Sequence, residues 1–244
     1  MIRRWMVFAM FCALIVAAGC GRSRPQDDGA AAPGRSEAEL RAANREAGAA
    51  GTLMPIDEAG GDPGFEAFRA GLVAAVERRD SAAVLAALDP HIRWSFGDDT
   101  GIEGFRARWF GDDPPADLWE ELGEVLSLGG TFAGDTMFVA PYTFSRWPSE
   151  LDSYSHVVVT AADVPLRAAP LPDAEVLAEV SHAIYLLDSN RQLALSLDGW
   201  TPVDRGTGTP GFIESRHVRL PLDYRAYFQR RGGEWRMAMF LAGD

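Results

Sequence analysis

The chain has 244 residues, 47% of them hydrophobic and 24% charged, which is typical of a globular protein of one large or two small domains. The 23 basic residues are all arginine, against 35 aspartates and glutamates, and the formal net charge is −12. An acidic surface argues against nucleic acid as a partner. The absence of lysine excludes Walker A loops, Schiff-base chemistry and Ser-x-x-Lys nucleophiles.

The first twenty residues have the pattern of a leader for export. Arg3 and Arg4 precede an uncharged apolar run over residues 5–18, and small residues then lead to Cys20. A basic start, an apolar stretch and a small-residue cleavage site are typical of a secretory signal peptide, and the run is shorter than the ~20 residues of a transmembrane helix. The sequence therefore predicts a signal peptide over residues 1–19.

The Ala-Ala-Gly-Cys ending of this leader resembles the lipobox of bacterial lipoproteins, although Ala17 stands where that family prefers leucine. The resemblance implies that the thiol of Cys20 is the lipid attachment site and that two or three acyl chains hold the mature protein firmly on a membrane. Gly21 differs from the aspartate that retains such lipoproteins in the inner membrane. This implies a lipid-anchored protein of the cell envelope, in the outer membrane and facing the periplasm. The alternatives are a plain signal peptide and an uncleaved anchor.

Residues 20–62 are rich in small and polar residues and predict a flexible tether with a reach of roughly 35 Å. Ser36 and Glu39 have capping-box spacing, so a short helix over 36–47 could start there. Leu40 is the only large apolar residue of that stretch. Without an apolar stripe to bury, the helix is expected to fray.

Residues 63–150 predict the first part of an α+β domain. Apolar residues at helical spacing and capping residues predict helices, and one alternating stretch predicts a strand. The predicted helices are 65–76, 84–88, 102–110 and 117–127, the predicted strand is 91–97, and strand-like runs follow within 131–144.

Residues 156–220 contain short β-branched runs broken by proline and glycine, which suggests a small barrel. The residues in order are Val164, Leu166, Arg167, Pro170, Trp200, Val203, Gly211, Phe212 and Ile213. This order resembles the bacterial SH3-like (SH3b) domain. Related domains present aromatic grooves to peptides or cell-wall fragments, so the resemblance makes Tyr185, Trp200 and Phe212 candidate ligand-binding residues. The alternative is that all three pack in a core.

Residues 221–244 predict a β-hairpin with a Gly-Gly turn. A lone hairpin is unstable in water and must add to a sheet. The ending resembles the final strands of the nuclear-transport-factor-2-like (cystatin-like) α+β fold, and the early helices followed by strand 91–97 resemble its beginning. The hairpin therefore either completes the domain of residues 63–150, with the SH3-like part inserted, or extends the SH3-like part. The expected fold class is α+β, a helical N-terminal part with a curved antiparallel sheet plus a small SH3-like β-barrel.

No pattern in the chain identifies an active site or a metal centre. The G-x-G-x-x-G match at residues 206–211 is interrupted by Pro210 and followed by a strand, whereas a phosphate-binding loop leads into a helix. Adjacent carboxylates such as Asp98 and Asp99 suit turns, and the four histidines lack metal-ligand spacing. Cys12 leaves with the leader, so no thiolate site remains. We therefore expect no catalytic residues, no metal and no cofactor.

The sequence thus predicts a lipid-anchored envelope protein, not an enzyme, whose SH3-like module binds peptidoglycan peptides or a protein partner. The alternative is a small-molecule-binding or enzymatic α+β cone with the SH3-like part as an accessory. In that case Trp94, Phe96, Trp109, Tyr142 and Trp235 would line an enclosed pocket. A purely structural role in envelope assembly is not separable from binding at this level.

Overall fold

The structure is a computed structural model that describes residues 35–188 and 199–243. Cys20, the predicted signal peptide and residues 189–198 lie outside the described residues. None of the helices in the described part is long and apolar enough to cross a membrane.

Helices dominate the first half of the described chain, and those predicted from periodicity are confirmed. Asp62 and Asp80 cap two of them, since their carboxylates accept hydrogen bonds from the backbone amides of Phe65 at 2.8 Å and Ala83 at 3.0 Å. The helices are α1 (Glu37–Glu46), α2 (Pro63–Glu77), α3 (Ser81–Ala86), α4 (Ile102–Phe110), α5 (Leu118–Ser127) and α6 (Tyr142–Ser145).

Strands dominate the second half and form two separate sheets. In chain order they are β1 (Gly51–Thr52), β2 (Leu88–Arg93), β3 (Thr131–Phe132), β4 (Met137–Ala140), β5 (His156–Val159), β6 (Val164–Arg167), β7 (Val176–Val180), β8 (Ala183–Leu187), β9 (Trp200–Asp204), β10 (Gly211–Glu214), β11 (Val218–Arg219), β12 (Arg225–Arg231) and β13 (Glu234–Leu241).

The first sheet has the order β2-β13-β12-β4-β3 and therefore contains the C-terminal hairpin. β12 pairs antiparallel with β4, and β13 pairs in parallel with β2, where Met237 lies opposite Leu88. Residues 221–244 thus complete the sheet of the N-terminal part. β2 begins earlier than the predicted strand 91–97 and ends at Arg93, so it includes Leu88, the last residue of the predicted helix 84–88.

Aromatic rings fill the space between this sheet and α2. Phe65 of α2 is fully buried, with its ring centroid 4.2 Å from that of Phe138, 5.0 Å from Trp235 and 5.4 Å from Phe228. Rings at these separations contribute packing energy beyond their buried area. The N-terminal part therefore has a solid aromatic core.

The second sheet has the order β11-β5-β8-β9-β10-β6-β7, with β1 added beside β8. Its core is mainly aliphatic, with Val157, Val164, Leu166 and Ile213 among the buried residues. The order has two ends, β11 and β7, and the described strands do not pair across them. The α+β class and two largely antiparallel sheets are therefore observed, whereas the predicted closed barrel is not.

The predicted tether is folded over residues 35–62, which corrects the sequence-based expectation. The capping box forms as predicted, with the amide of Ser36 donating to Glu39 at 2.7 Å. α1 is anchored by one polar side chain, because buried Asn44 donates to the carbonyl of Ser181 and to Oγ1 of Thr52, both at 2.8 Å. An amide satisfied by protein partners can hold a helix that has no apolar stripe.

A small apolar cluster and one buried arginine join the two sheets. Tyr142 of α6 packs with Val158 and Ile184 of the second sheet. Arg219 of β11, whose side chain is only 3% exposed, forms an ion pair with Glu124 of α5 and donates to the carbonyl of Tyr224 at 2.6 Å. The joint therefore combines apolar packing with a charge pair.

Candidate ligand-binding cleft

A cleft of about 710 Å³ lies between β1 and the loop that follows α6. It is lined by residues 50–53 and 145–151, with Arg41 from α1 and Ile184 from β8. This volume falls within the ~300–1,000 Å³ range of small-ligand sites. The cleft is therefore large enough for a peptide fragment or a small molecule.

A smaller cleft of about 240 Å³ borders the first one, between α1 and β1. The two share Arg41 and residues 50–52, and the smaller one adds Asn44 and Arg45. Arg41 and Arg45 are four residues apart, so they lie on one face of the helix. Because Asn44 fixes α1 against the second sheet, these two arginines have a defined position at the clefts.

The turn that follows α1 depends on a glycine. Gly48 has a φ of 86°, a backbone conformation that side chains other than glycine rarely adopt. A Cβ at this position would clash with the backbone carbonyl of Arg205. Glycine therefore allows the chain to pass from α1 into β1 close to the end of β9.

The opposite wall of the large cleft is formed by the loop after α6. The indole of Trp147 donates to the carbonyl of Leu151 at 2.9 Å and so closes this loop on itself. Ser145 has a buried Oγ with no hydrogen-bond partner among the residues that the structure describes. The wall is thus an ordered loop closed by its own hydrogen bond.

The two clefts carry a local excess of positive charge. Arg41, Arg45 and Arg146 line them, against the single carboxylate of Glu150. Arg41 also pairs with Glu37 at 2.6 Å. The guanidinium groups of Arg45 and Arg146 make no ion pair or hydrogen bond with any other residue in the described ranges. In a chain with twelve more acids than bases, this surface is suited to an anionic ligand.

Two buried apolar residues are among those that line the large cleft. Leu53 and Ile184 are 7% and 0% exposed. They belong to the apolar cluster that joins the two sheets. The cleft therefore borders that cluster, and its exposed lining is mainly polar and charged.

Tyr185, predicted as a ligand-binding residue, packs in the core of the second sheet instead. It is fully buried, and its hydroxyl donates to the carbonyl of Ala47 at 3.3 Å. Burial raises the pKa of this phenol well above its usual range. Tyr185 therefore anchors the turn after α1 and is not available to a ligand, because β8 turns it inward.

Trp200 and Phe212 lie on the other face of the second sheet. Phe212 is paired with Pro202, and Glu214 with Trp200, so the two aromatic side chains are diagonal neighbours on adjacent strands. Trp200 is partly exposed and Phe212 is buried. The structure brings these two predicted residues together, but it separates them from Tyr185 and neither lines the clefts at β1.

The residues proposed to line a pocket in the α+β cone do not do so as a group. Trp109 and Trp235 belong to the aromatic core, and Tyr142 belongs to the cluster between the sheets. Trp94 packs partly buried against the same core, and Phe96 is 46% exposed on the surface. Burial raises the pKa of Tyr142 to about 12, so its hydroxyl stays protonated at neutral pH. Trp94, Trp109 and Trp235 therefore contribute to the packed core of the first part, whereas Tyr142 and Phe96 lie elsewhere.

Metal binding receives no support from the part of the chain that the structure describes. No group of three or more His, Cys, Asp or Glu side chains there could hold an ion. Several carboxylates lie near Arg219, where burial raises the pKa of Asp223 and of Glu121. That cluster is filled by an arginine and not by a site for a cation.

The arginines of the clefts were not identified from the sequence. All basic residues of the chain are arginine, so no single one stands out by type. Arg41 and Arg45 were assigned to the tether, although their spacing after a capping box was a usable signal. Arg146 is distant from both in sequence and meets them only in the folded chain.

Comparison with known proteins identifies no relative. No protein-family model matches the chain, and no curated protein or solved structure matches it. The chemistry of the clefts and the pattern of the leader are therefore the basis for a function.

Proposed function

We propose that this protein is a lipid-anchored component of a bacterial cell envelope that binds peptidoglycan peptides without catalysis, in the clefts at β1 that border its SH3-like module. The membrane anchor is the acylated Cys20, and the folded part faces the periplasm from the outer membrane. Support for the anchor comes from the leader, where a basic start, an apolar run and small residues precede Cys20.

Support for an SH3-like module comes from the placement of the residues that carry the resemblance. Leu166, Val203 and Ile213 lie on β6, β9 and β10, which are neighbours in the order β9-β10-β6, and all three contribute to one core. Leu166 and Ile213 are 47 positions apart in the sequence and would not otherwise be expected to meet. The sheet remains open at β11 and β7, so the proposal concerns an SH3-like strand arrangement.

The observation that carries the binding function is the charge of the clefts at β1. The chain is acidic overall, yet Arg41, Arg45 and Arg146 line one concave surface and two of them lack carboxylate partners among the described residues. Peptidoglycan peptides carry free carboxylates, which match such a surface. Arginine binds carboxylates with two parallel hydrogen bonds, so it is well suited to this recognition.

Co-sedimentation with purified, insoluble peptidoglycan tests the binding function. The full-length protein in detergent is expected to sediment with the wall material and to be released as salt is raised, because charge contributes to the contact. Trp200→Ala distinguishes the aromatic face from the clefts, since it should leave sedimentation unchanged. Failure to sediment at every salt concentration would contradict the proposal and would favour a protein partner or a structural role.

Fractionation tests the anchor. With Cys20 intact, the protein is expected in the membrane fraction with fatty acid attached and with the leader removed. Cys20→Ser should abolish acylation. If both versions remain unprocessed in the membrane without fatty acid, the leader is an uncleaved anchor and the lipoprotein assignment is wrong.

A further inference from the structure

Arg45 and Arg146, which line the clefts, differ from most arginines of the described chain. Ten arginines form ion pairs with carboxylates there. Arg146 is exposed on the rim of the large cleft, and its guanidinium has no such partner among the described residues. In a chain with an excess of acids, an arginine left without a carboxylate has its charge available for a ligand.

Arg41 lines the same cleft, and only part of the hydrogen-bonding capacity of its guanidinium is satisfied within the described residues. Its Nε and Nη2 both donate to Oε1 of Glu37, at 2.9 Å and 2.6 Å, and no partner is described for Nη1. The pair with Glu37 is exposed and contributes little, so a ligand carboxylate can compete for Arg41 at low cost. Glu150 is the one acidic side chain of the lining, and it disfavours ligands that are dense in negative charge.

We propose that Arg41 and Arg146 bind the free carboxylates of a peptide in this cleft and thereby select peptides with free carboxylates over amidated ones. This inference rests on the proposed function and names the chemical group that is recognised. An amide is neutral and cannot accept the two charge-assisted hydrogen bonds that a guanidinium offers a carboxylate. Trp147, with the exposed edge of Leu53, would contact the uncharged part of the peptide.

Binding of soluble peptidoglycan fragments tests this selectivity. The probe is the set of disaccharide-peptides released by a muramidase, used with carboxylates free or chemically amidated, and titrated into the full-length protein in detergent. Wild-type protein is expected to bind the free form about tenfold or more tightly than the amidated form, as for hydrogen bonds between charged groups. Arg41→Gln and Arg146→Gln should each remove most of that difference and leave binding of the amidated form unchanged.

Arg106→Gln is the matched control, because Arg106 lies on α4 away from the cleft and pairs only with Glu103 at 3.5 Å. It should bind both probes as the wild type does. Thermal unfolding of each variant verifies the fold, and substitutions on this exposed rim should leave it unchanged.

The outcomes separate this inference from the proposed function. If wild-type protein sediments with peptidoglycan but binds free and amidated fragments equally, or if both glutamine variants bind like the wild type, the inference is wrong and the proposed function stands. If wild-type protein binds neither the insoluble wall nor the fragments, the proposed function fails. Equal binding of an acidic protein-derived peptide would agree with selection for free carboxylates and would contradict the proposed function, which names a wall peptide.

Discussion

The two sheets are stabilised by different kinds of core, and the difference locates the candidate site. In the first, Phe65, Phe138, Phe228 and Trp235 fill the interior with rings in contact. In the second, small β-branched and aliphatic residues form a thinner core, to which Tyr185 contributes one buried ring. The aromatic residues that suggested a pocket in the first part are thus used for packing. Clefts of about 570 Å³ and about 330 Å³ also lie against α2. The clefts lined by Arg41, Arg45 and Arg146 lie instead at the border of the second sheet.

The second sheet also depends on residues outside its own stretch of sequence. α1 and β1 add to it from the N-terminal side, and Arg219 connects it to α5. The first sheet similarly requires the C-terminal hairpin. Each part is therefore completed by a segment distant in sequence, and the cleft lies where such a segment, β1, meets the loop after α6.

The largest expected effect is on the aromatic core. Phe65→Ala should lower the free energy of unfolding by about 3–5 kcal/mol, because it leaves a cavity among several rings. Leu166→Ala, in the core of the second sheet, should lower the free energy of unfolding by less, near the lower end of about 2–5 kcal/mol, because a smaller side chain is lost. Urea denaturation, monitored by tryptophan fluorescence, measures the free energy of unfolding of both variants.

Leu171 provides the control for these truncations. It is 56% exposed, so Leu171→Ala should change stability by no more than about 0.5 kcal/mol. If Phe65→Ala proves no more costly than Leu166→Ala, the contrast between a ring-filled core and a thin core is wrong.

Substitution of Arg219, at the joint between the sheets, should have the next largest effect on stability. Arg219→Ala removes the ion pair with Glu124 and the hydrogen bond to the carbonyl of Tyr224. We expect a loss of about 2–3 kcal/mol, below the usual cost of breaking a fully buried pair because Glu124 is half-exposed. Unfolding monitored by circular dichroism and by fluorescence should then no longer coincide, since the two parts lose coupling.

Glu124→Gln is the milder companion variant at this joint. Its amide oxygen can still accept from Arg219, so a loss of about 1 kcal/mol or less is expected. Coincident transitions in Arg219→Ala would show that the apolar cluster around Tyr142 couples the sheets without the arginine.

The sequence predicted local features well because their causes are local. Helical periodicity and capping residues such as Asp80 identified α2 to α5, and alternation identified the hairpin. Pairing between distant segments was not predictable in the same way, as the parallel contact of Met237 with Leu88 shows. The position of Tyr185 in the core depended on which face β8 turns inward. Strand alternation shows that two faces exist but does not show which one is covered.

The clefts were missed for a related reason. α1 lacks an apolar stripe, and a single side chain, Asn44, fixes it through partners such as Ser181, 137 residues away. No pattern in the local sequence shows such a contact. With α1 assigned to a tether, Arg41 could not be placed near Arg146, and the charged surface that they form could not be predicted.

The anchoring of α1 gives a third prediction. Asn44→Ala should cost about 1–2 kcal/mol, because it leaves buried polar groups of Ser181 without partners. Amide hydrogen exchange should increase over residues 37–53 and remain unchanged in α2. Glu37→Ala is the control, since its ion pair with Arg41 is exposed and should contribute about 0.5 kcal/mol or less. Unchanged exchange in Asn44→Ala would mean that α1 is held mainly by Ala47 and its contacts.

The smallest expected effects are pH-dependent and of opposite sign at two aspartates. The amide of Phe65 lowers the pKa of Asp62 below its ordinary 3.8, with help from Arg230, so the charged form stabilises the fold. That contribution is complete above pH 3.8 and is lost as the pH falls through the lowered pKa. Burial raises the pKa of Asp223, and Arg219 only partly offsets this rise. The charged form of Asp223 therefore destabilises the fold above the raised pKa. This destabilisation disappears as the pH falls from the raised pKa toward 3.8.

Urea midpoints measured from pH 3 to pH 8 should therefore show opposite effects of charge at Asp62, which caps α2, and at Asp223, which lies near Arg219 at the joint between the sheets. Asp62→Asn, which can still cap α2, should be less stable than wild type at neutral pH, and the difference should shrink in acid below pH 3.8. Asp223→Asn should be slightly more stable than wild type at neutral pH, and that difference should disappear at a higher pH than for Asp62→Asn, because the raised pKa is titrated first. Differences of the same sign in both variants would show that Arg219 outweighs burial at Asp223, and that the joint is stabilised by its charges in the same way as the cap of α2.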